Sequence, residues 1–216
     1  MTATIPATVP PSATATWSAT ATPSVTATPS ATATSTTVET HTPTATATWT
    51  PSPSPSSPAG VQVLSNGGFE NDVDGDGVPD DWQVSGPDPT LVSRSGDQTY
   101  EGDFSMLASS LGWQSYVVYQ DIPVNPGESY SFSGWMNVPR TSGWFRASAQ
   151  LVELDTSGRV LNTITARDQT AATSGWVPSQ ASVSVRLTTA TLRVQLRLQV
   201  LRADVWVDGF SLTRTK

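Results

Sequence analysis

From residue 60 onward, apolar residues recur at every second position, and no stretch carries them at the 3.6-residue spacing of a buried helix face. The clearest segment is Leu192-Arg193-Val194-Gln195-Leu196-Arg197-Leu198-Gln199-Val200, with aliphatics on one side and Arg or Gln on the other. Successive side chains of a strand point to opposite faces, so this pattern predicts a half-buried strand. Trp144 to Leu154 and Tyr130 to Asn137 alternate in the same way. Further strands are expected at 61–65, 90–94, 104–109, 114–122, 159–166, 180–187 and 203–213. Turn chemistry separates them at Asn125-Pro126-Gly127, Asp155-Thr156-Ser157-Gly158 and Ser174-Gly175. Many short strands, each with one apolar face, predict an all-β domain: an antiparallel β-sandwich of jelly-roll type over 60–216.

Residues 1–59 are different material. Thr, Ala, Pro and Ser fill 50 of the first 60 positions, with Glu39 as the one formal charge and His41 as the one histidine. Too few large apolar groups are present to offset the entropy of ordering, which predicts a disordered, partly polyproline-II arm. Ser/Thr-Pro tracts of this kind suit an extracellular stalk, and composition leaves open whether it is O-glycosylated or a bare spacer. Trp17 and Trp49 have no account within it. Met1 is followed by neither a charged nor an apolar leader region, so a cell-surface or secreted location implies that the chain is a fragment.

Absences narrow the chemistry. The chain has no Cys, which excludes thiolate catalysis, disulfides and zinc–cysteine sites. The globular part has no His and only Lys216, so a Ser-His-Asp triad, Schiff-base catalysis and a P-loop all lack their central residue. A net charge of −7 with scattered arginines does not suit nucleic acid. No apolar run approaches the roughly 18 residues of a membrane span.

The loop from Glu70 to Asp81 crowds six carboxylates into twelve residues. Asp72, Asp74 and Asp76 followed by Gly77 match the opening of calcium loops, where alternate oxygens converge on a hard cation. Gln83 stands where an EF-hand has its bidentate Glu, so the loop is more similar to thrombospondin type three repeats, with Asp80 as a later ligand. A solvated acidic turn remains the other reading.

An ordered set of motifs runs through the domain: Asn66-Gly67-Gly68-Phe69-Glu70, Trp82, Gln120 before Val124-Asn125-Pro126-Gly127, Tyr130-Ser131-Phe132-Ser133-Gly134-Trp135, Gly175-Trp176, and Val207-Asp208-Gly209-Phe210-Ser211-Leu212. This order resembles the carbohydrate-binding modules of families four, nine and twenty-two. The resemblance implies a galactose-binding-like jelly roll, without catalysis, that binds polysaccharides or oligosaccharides and is often part of a glycoside hydrolase or surface protein. It also implies a structural calcium held by Glu70 and Asp208, with main-chain oxygens of Gly68 and the segment around Gly102. The final motif keeps one acid, Asp208, of the two that the family often has. The other reading of Asp208 is an acceptor for backbone amides.

The polar strand faces supply the expected sugar contacts: Gln120, Trp135, Trp144, Arg146, Gln150, Gln195 and Arg197, with Tyr116 in the same phase as Gln120. If they share one sheet surface, aromatic planes and fixed amide or guanidinium donors lie together as a pyranose requires. Packing of Trp135 and Trp144 in the core is the competing expectation. Trp82, Trp176 and Trp206 are assigned to the core or its edges, and Trp113 to an exposed loop. The rival functions are a structural or adhesive surface domain without sugar affinity and, less favoured, a two-carboxylate glycoside hydrolase, whose acids need a cleft about 5–9.5 Å wide between them.

Overall fold

The computed structural model describes residues 60–109, 113–199 and 202–216. The arm expected over 1–59 lies outside these residues. The described residues form eleven strands: β1 (Val61–Gln62), β2 (Gln83–Ser85), β3 (Val92–Ser95), β4 (Ser105–Ser109), β5 (Tyr116–Pro123), β6 (Ser129–Thr141), β7 (Arg146–Leu154), β8 (Val160–Gln169), β9 (Val177–Ser184), β10 (Thr191–Gln199) and β11 (Ala203–Arg214). One sheet runs β3-β4-β11-β6-β9 with β1 added to β11, and the other runs β2-β5-β10-β7-β8. Every pairing is antiparallel. The chain passes from one sheet to the other between β5, β6 and β7 and again between β8, β9, β10 and β11, which gives the expected jelly-roll β-sandwich.

Alternation builds the core. Met106, Ala108, Tyr130, Phe132, Met136, Val205, Val207 and Leu212 are buried in one sheet, and Tyr116, Val118, Ala147, Ala149, Leu151, Leu192, Val194, Leu196 and Leu198 in the other. Two local departures concern the first strands. Only Val61–Gln62 of the expected 61–65 is strand, and β2 lies outside the expected strands. A 3-10 turn over Pro89–Leu91, capped by Asp88 accepting from the Thr90 amide, precedes β3.

The motifs that carry the family resemblance meet in space. β11 bulges between Asp208 and Ser211, where Gly209 has φ 59°. The Asn66–Glu70 segment crosses this bulge so closely that a Cβ on Gly67 would lie 1.9 Å from the Phe210 carbonyl oxygen. The Phe210 amide donates to Gly67 O at 2.8 Å. Phe69 then packs with Trp82 and Phe210 at centroid distances of 5.1 and 5.6 Å, and Phe132 meets Phe210 edge-on at 5.1 Å. The Trp82 indole donates to Asn66 O, so its buried N–H is satisfied.

Candidate functional site

Strand register places residues on the outward face of the β2-β5-β10-β7-β8 sheet. One row crosses all five strands: Gln83, Tyr119, Gln195, Gln150 and Thr165. The next row is Ser85, Val117, Arg197, Ser148 and Asp168. On the other side lie Asp121, Arg193, Val152 and Thr163.

These side chains hold one another in place. Arg193 grips both oxygens of Asp121 at 2.7 and 2.8 Å, with its guanidinium 3.9 Å from the centre of the Tyr119 ring. Gln195 donates to the Gln150 carbonyl at 2.7 Å, which leaves further donor and acceptor capacity on the amide pair. Arg146 grips Asp168 at 2.7 and 2.6 Å, and Ser148 donates to the same carboxylate. The Arg146 hydrogen bonds hold the Asp168 carboxyl below its ordinary range against the effect of burial. The result is a half-buried ring set among polar groups of fixed geometry.

Of the eight residues expected on one face, the structure gathers Arg146, Gln150, Gln195 and Arg197, with Trp144 just before β7 at the end of the face. Three expectations are corrected. Tyr116 is 1% exposed and Gln120 8%, because both point inward from β5 with Val118 and Ile122. Gln120 is a tie rather than a surface group: its amide accepts from Ser65 N at 2.8 Å and donates to Ser65 O and Asp81 O. Trp135 does point away from the core, but on β6 of the opposite sheet, where it stacks on Tyr100 at 4.1 Å. Sequence reasoning missed Tyr119, Arg193, Asp121 and Gln83. The available signal was the other phase of β5, in which Asp121 and Pro123 mark the solvent side.

The carboxylates fall into two groups. Asp72, Asp74 and Asp80 bring one oxygen each to within 4.8 Å of one another. Asp76 lies outside that triad and accepts from the Val78 amide. Asp72 also accepts from Gly75 and Gly77, and Asp80 from Val73, which curls the loop around its own acids. An oxygen-only set of this kind fits a hard cation such as calcium. Elsewhere, Glu70 and Asp208 hold the same loop from two sides. Glu70 accepts from the Asp103 and Phe104 amides, and Asp208 from Tyr100, Glu101 and Gly209. Gly102 has φ 68°, and a Cβ there would sit 1.9 Å from a Glu70 oxygen. Gly68 lies in the adjoining turn, 3.7 Å from Glu70 Cγ by the same measure. Burial pushes the Asp208 carboxyl up, as does the neighbouring Glu101 charge, while the three amides pull it down. The amide reading of Asp208 is thus met, and its oxygen donors also suit calcium.

A family model described as a carbohydrate binding domain matches residues 61–204. None of the curated protein sequences compared with the chain matches it. Among solved structures, the chain is similar to the CBM22-1 xylan-binding domain of Paenibacillus barcinonensis Xyn10C, with TM-score 0.55, 19% identity, and coverage of 74% of this chain and 99% of that one. It is also similar to TmCBM61 in complex with beta-1,4-galactotriose, with TM-score 0.50, 19% identity, and coverage of 71% and 99%. The enzymatically active domain of bacteriophage CBA120 tailspike protein 4 shares the fold at TM-score 0.54 and 16% identity, over 71% of this chain and 21% of that one.

Proposed function

Because this chain belongs to the carbohydrate binding domain family, we propose that it is a non-catalytic module that binds a β-linked polysaccharide, or its oligosaccharides, along the outward face of β2-β5-β10-β7-β8. The observation that carries this is the row Gln83, Tyr119, Gln195, Gln150 and Thr165. A sugar chain laid across the strands meets the half-buried Tyr119 ring, one face of which carries the Arg193 guanidinium, and clamped amides for its hydroxyls. Two structural neighbours are named with ligands of this chemistry, xylan and beta-1,4-galactotriose.

Binding rather than hydrolysis is favoured by the acids on this face. Asp121 and Asp168 are each gripped by an arginine through two hydrogen bonds, and Asp168 is held ionised, the opposite of what a general acid requires. Calcium at Asp72, Asp74 and Asp80, and between Glu70 and Asp208, is proposed as a structural element. Residues 1–59 are proposed as an extracellular spacer to a glycoside hydrolase or surface protein. The rival reading, an adhesive domain without sugar affinity, is separated by one experiment. Tyr119→Ala should weaken retention in polysaccharide affinity gels by about tenfold or more, about 1.4 kcal/mol, with little change in melting temperature. Failure of the unaltered chain to bind any neutral or acidic polysaccharide favours the adhesive domain.

A further inference from the structure

The arginines of the outward face are not equally answered. Arg193 is matched by Asp121 and Arg146 by Asp168. Arg197 stands exposed on β10 between Val117 and Ser148, and no acid pairs with it among the described residues. Beyond the end of β10, Arg202 adds a second such cation. Its guanidinium lies 4.9 Å from the centre of the Trp113 ring, and its Nε is buried without a hydrogen-bond partner among the described residues.

Two exposed tryptophans flank this end of the face, Trp113 against Arg202 itself and Trp144 next to Gly143, which touches it. The Ser142 amide donates to the Arg202 carbonyl at 2.9 Å, and a Cβ on Gly143 would lie 2.8 Å from Arg202 Cδ. Ser142 and Gly143 therefore rest on Arg202, which also lies against the Trp113 ring. Trp144 is 55% exposed and Trp113 68%. Exposure alternates through Trp144, Phe145, Arg146 and Ala147, so Trp144 prolongs the outward row of β7. β7 begins at Arg146 opposite Gln199, two residues along β10 from Arg197.

We propose that this end of the face, from Arg197 to Arg202, receives a polysaccharide that carries uronic acid units, with each guanidinium offered to a carboxylate and Trp144 and Trp113 offered to sugar rings. The proposal rests on the glycan-binding reading of the face and adds the class of sugar. Neutral hydroxyls are served by the amide pair and need no cation. An unpaired guanidinium presents a planar fork that matches a carboxylate through two hydrogen bonds. The same face already makes that pairing twice, at Arg146–Asp168 and Arg193–Asp121. With a net charge of −7, the whole chain repels a polyanion, so attraction to one has to come from a local patch such as this.

The test is affinity electrophoresis of the full chain in glucuronoxylan, polygalacturonate and alginate, each beside the same polymer after reduction of its carboxyl groups to primary alcohols. At least one acidic polymer should bind about tenfold more tightly than its reduced form, and added salt should erase the difference. Arg197→Gln should remove that preference while affinity for the reduced polymer stays, and Arg197→Lys should restore part of it. Melting curves establish that the variants are folded. Equal, Tyr119-dependent binding of acidic and reduced polymers overturns the uronate subsite and leaves the glycan face standing. Acid preference that survives in Arg197→Gln overturns its placement at this end. No retention by any polymer overturns the glycan face and this proposal together.

Discussion

Tyr119 and Gln120 are neighbours in the chain with opposite roles. Tyr119 lies on the solvent side of β5 beneath the Arg193 guanidinium, while Gln120 closes three hydrogen bonds to Ser65 and Asp81 behind the strand. Gln120→Leu would leave the Ser65 amide and carbonyl without these partners in a partly buried setting. Unsatisfied groups of this kind cost about 1–3 kcal/mol, so thermal unfolding should occur several degrees lower, with affinity per folded molecule unchanged. A loss of sugar binding in a stably folded Gln120→Leu protein would restore Gln120 to the site. The two-residue period of β5 was legible, but its phase was not. Tyr116 and Gln120 look like surface groups by residue type, and only the contact with a segment 55 residues earlier shows why a glutamine belongs inside.

At the scale of strands, Trp135 shows a second limit. Its outward orientation follows from alternation with Phe132 and Met136, yet nothing local assigns β6 to one sheet or the other. That assignment comes from pairing with β9 and β11. The β5–β6 turn also carries an electrostatic element that the sequence did not advertise. Glu128 and Arg214, both buried, pair at 3.1 Å and join the start of β6 to the end of β11. Asn125 and the Tyr130 hydroxyl donate to the same carboxylate. Burial pushes the Glu128 carboxyl up, but these hydrogen bonds and the Arg214 charge outweigh it and hold the group below its ordinary 4.5. A depressed carboxyl stabilises the fold above its unfolded value, and that contribution disappears as pH falls through the folded value. Glu128→Gln should therefore cost about 1.5–3 kcal/mol at neutral pH, because the hydrogen bonds from Asn125, Tyr130 and Arg214 lose their charged acceptor. The gap to the unaltered protein should narrow in urea melts as the pH drops below 4.5. A gap that stays constant down to strongly acidic pH would show that Glu128 contributes by packing alone.

For the domain as a whole, the Asn66–Glu70 segment crosses the β11 bulge, so a cation between Glu70 and Asp208 would tie the first and last parts of the domain together. Glu70 holds loop 100–104 through the Asp103 and Phe104 amides, and Asp208 holds it through Tyr100 and Glu101. Crowding Glu70, Asp208 and Glu101 near one loop is unfavourable without neutralisation, and the same holds for the Asp72, Asp74 and Asp80 oxygens. A ligand that binds only the native state stabilises it by about 2.7 kcal/mol when present at about 100 times its Kd. For a domain of this size that corresponds to a rise of about 5–10 °C in Tm. The unaltered chain in excess calcium should therefore melt higher than in chelator, and magnesium should replace calcium poorly because it demands a smaller, more regular shell. Two sets of neutral variants divide the effect. Asp72→Asn with Asp74→Asn and Asp80→Asn should remove the part owed to the loop. Glu70→Gln with Asp208→Asn should remove the part owed to the crossing, and should also lower the melting point in chelator, because the amides of loop 100–104 lose charged acceptors. If the loop variants abolish the whole calcium shift, Glu70 and Asp208 act as amide clamps alone. If calcium and chelator give the same melting point for the unaltered chain, neither group binds the ion, and the carboxylates are held by backbone amides only.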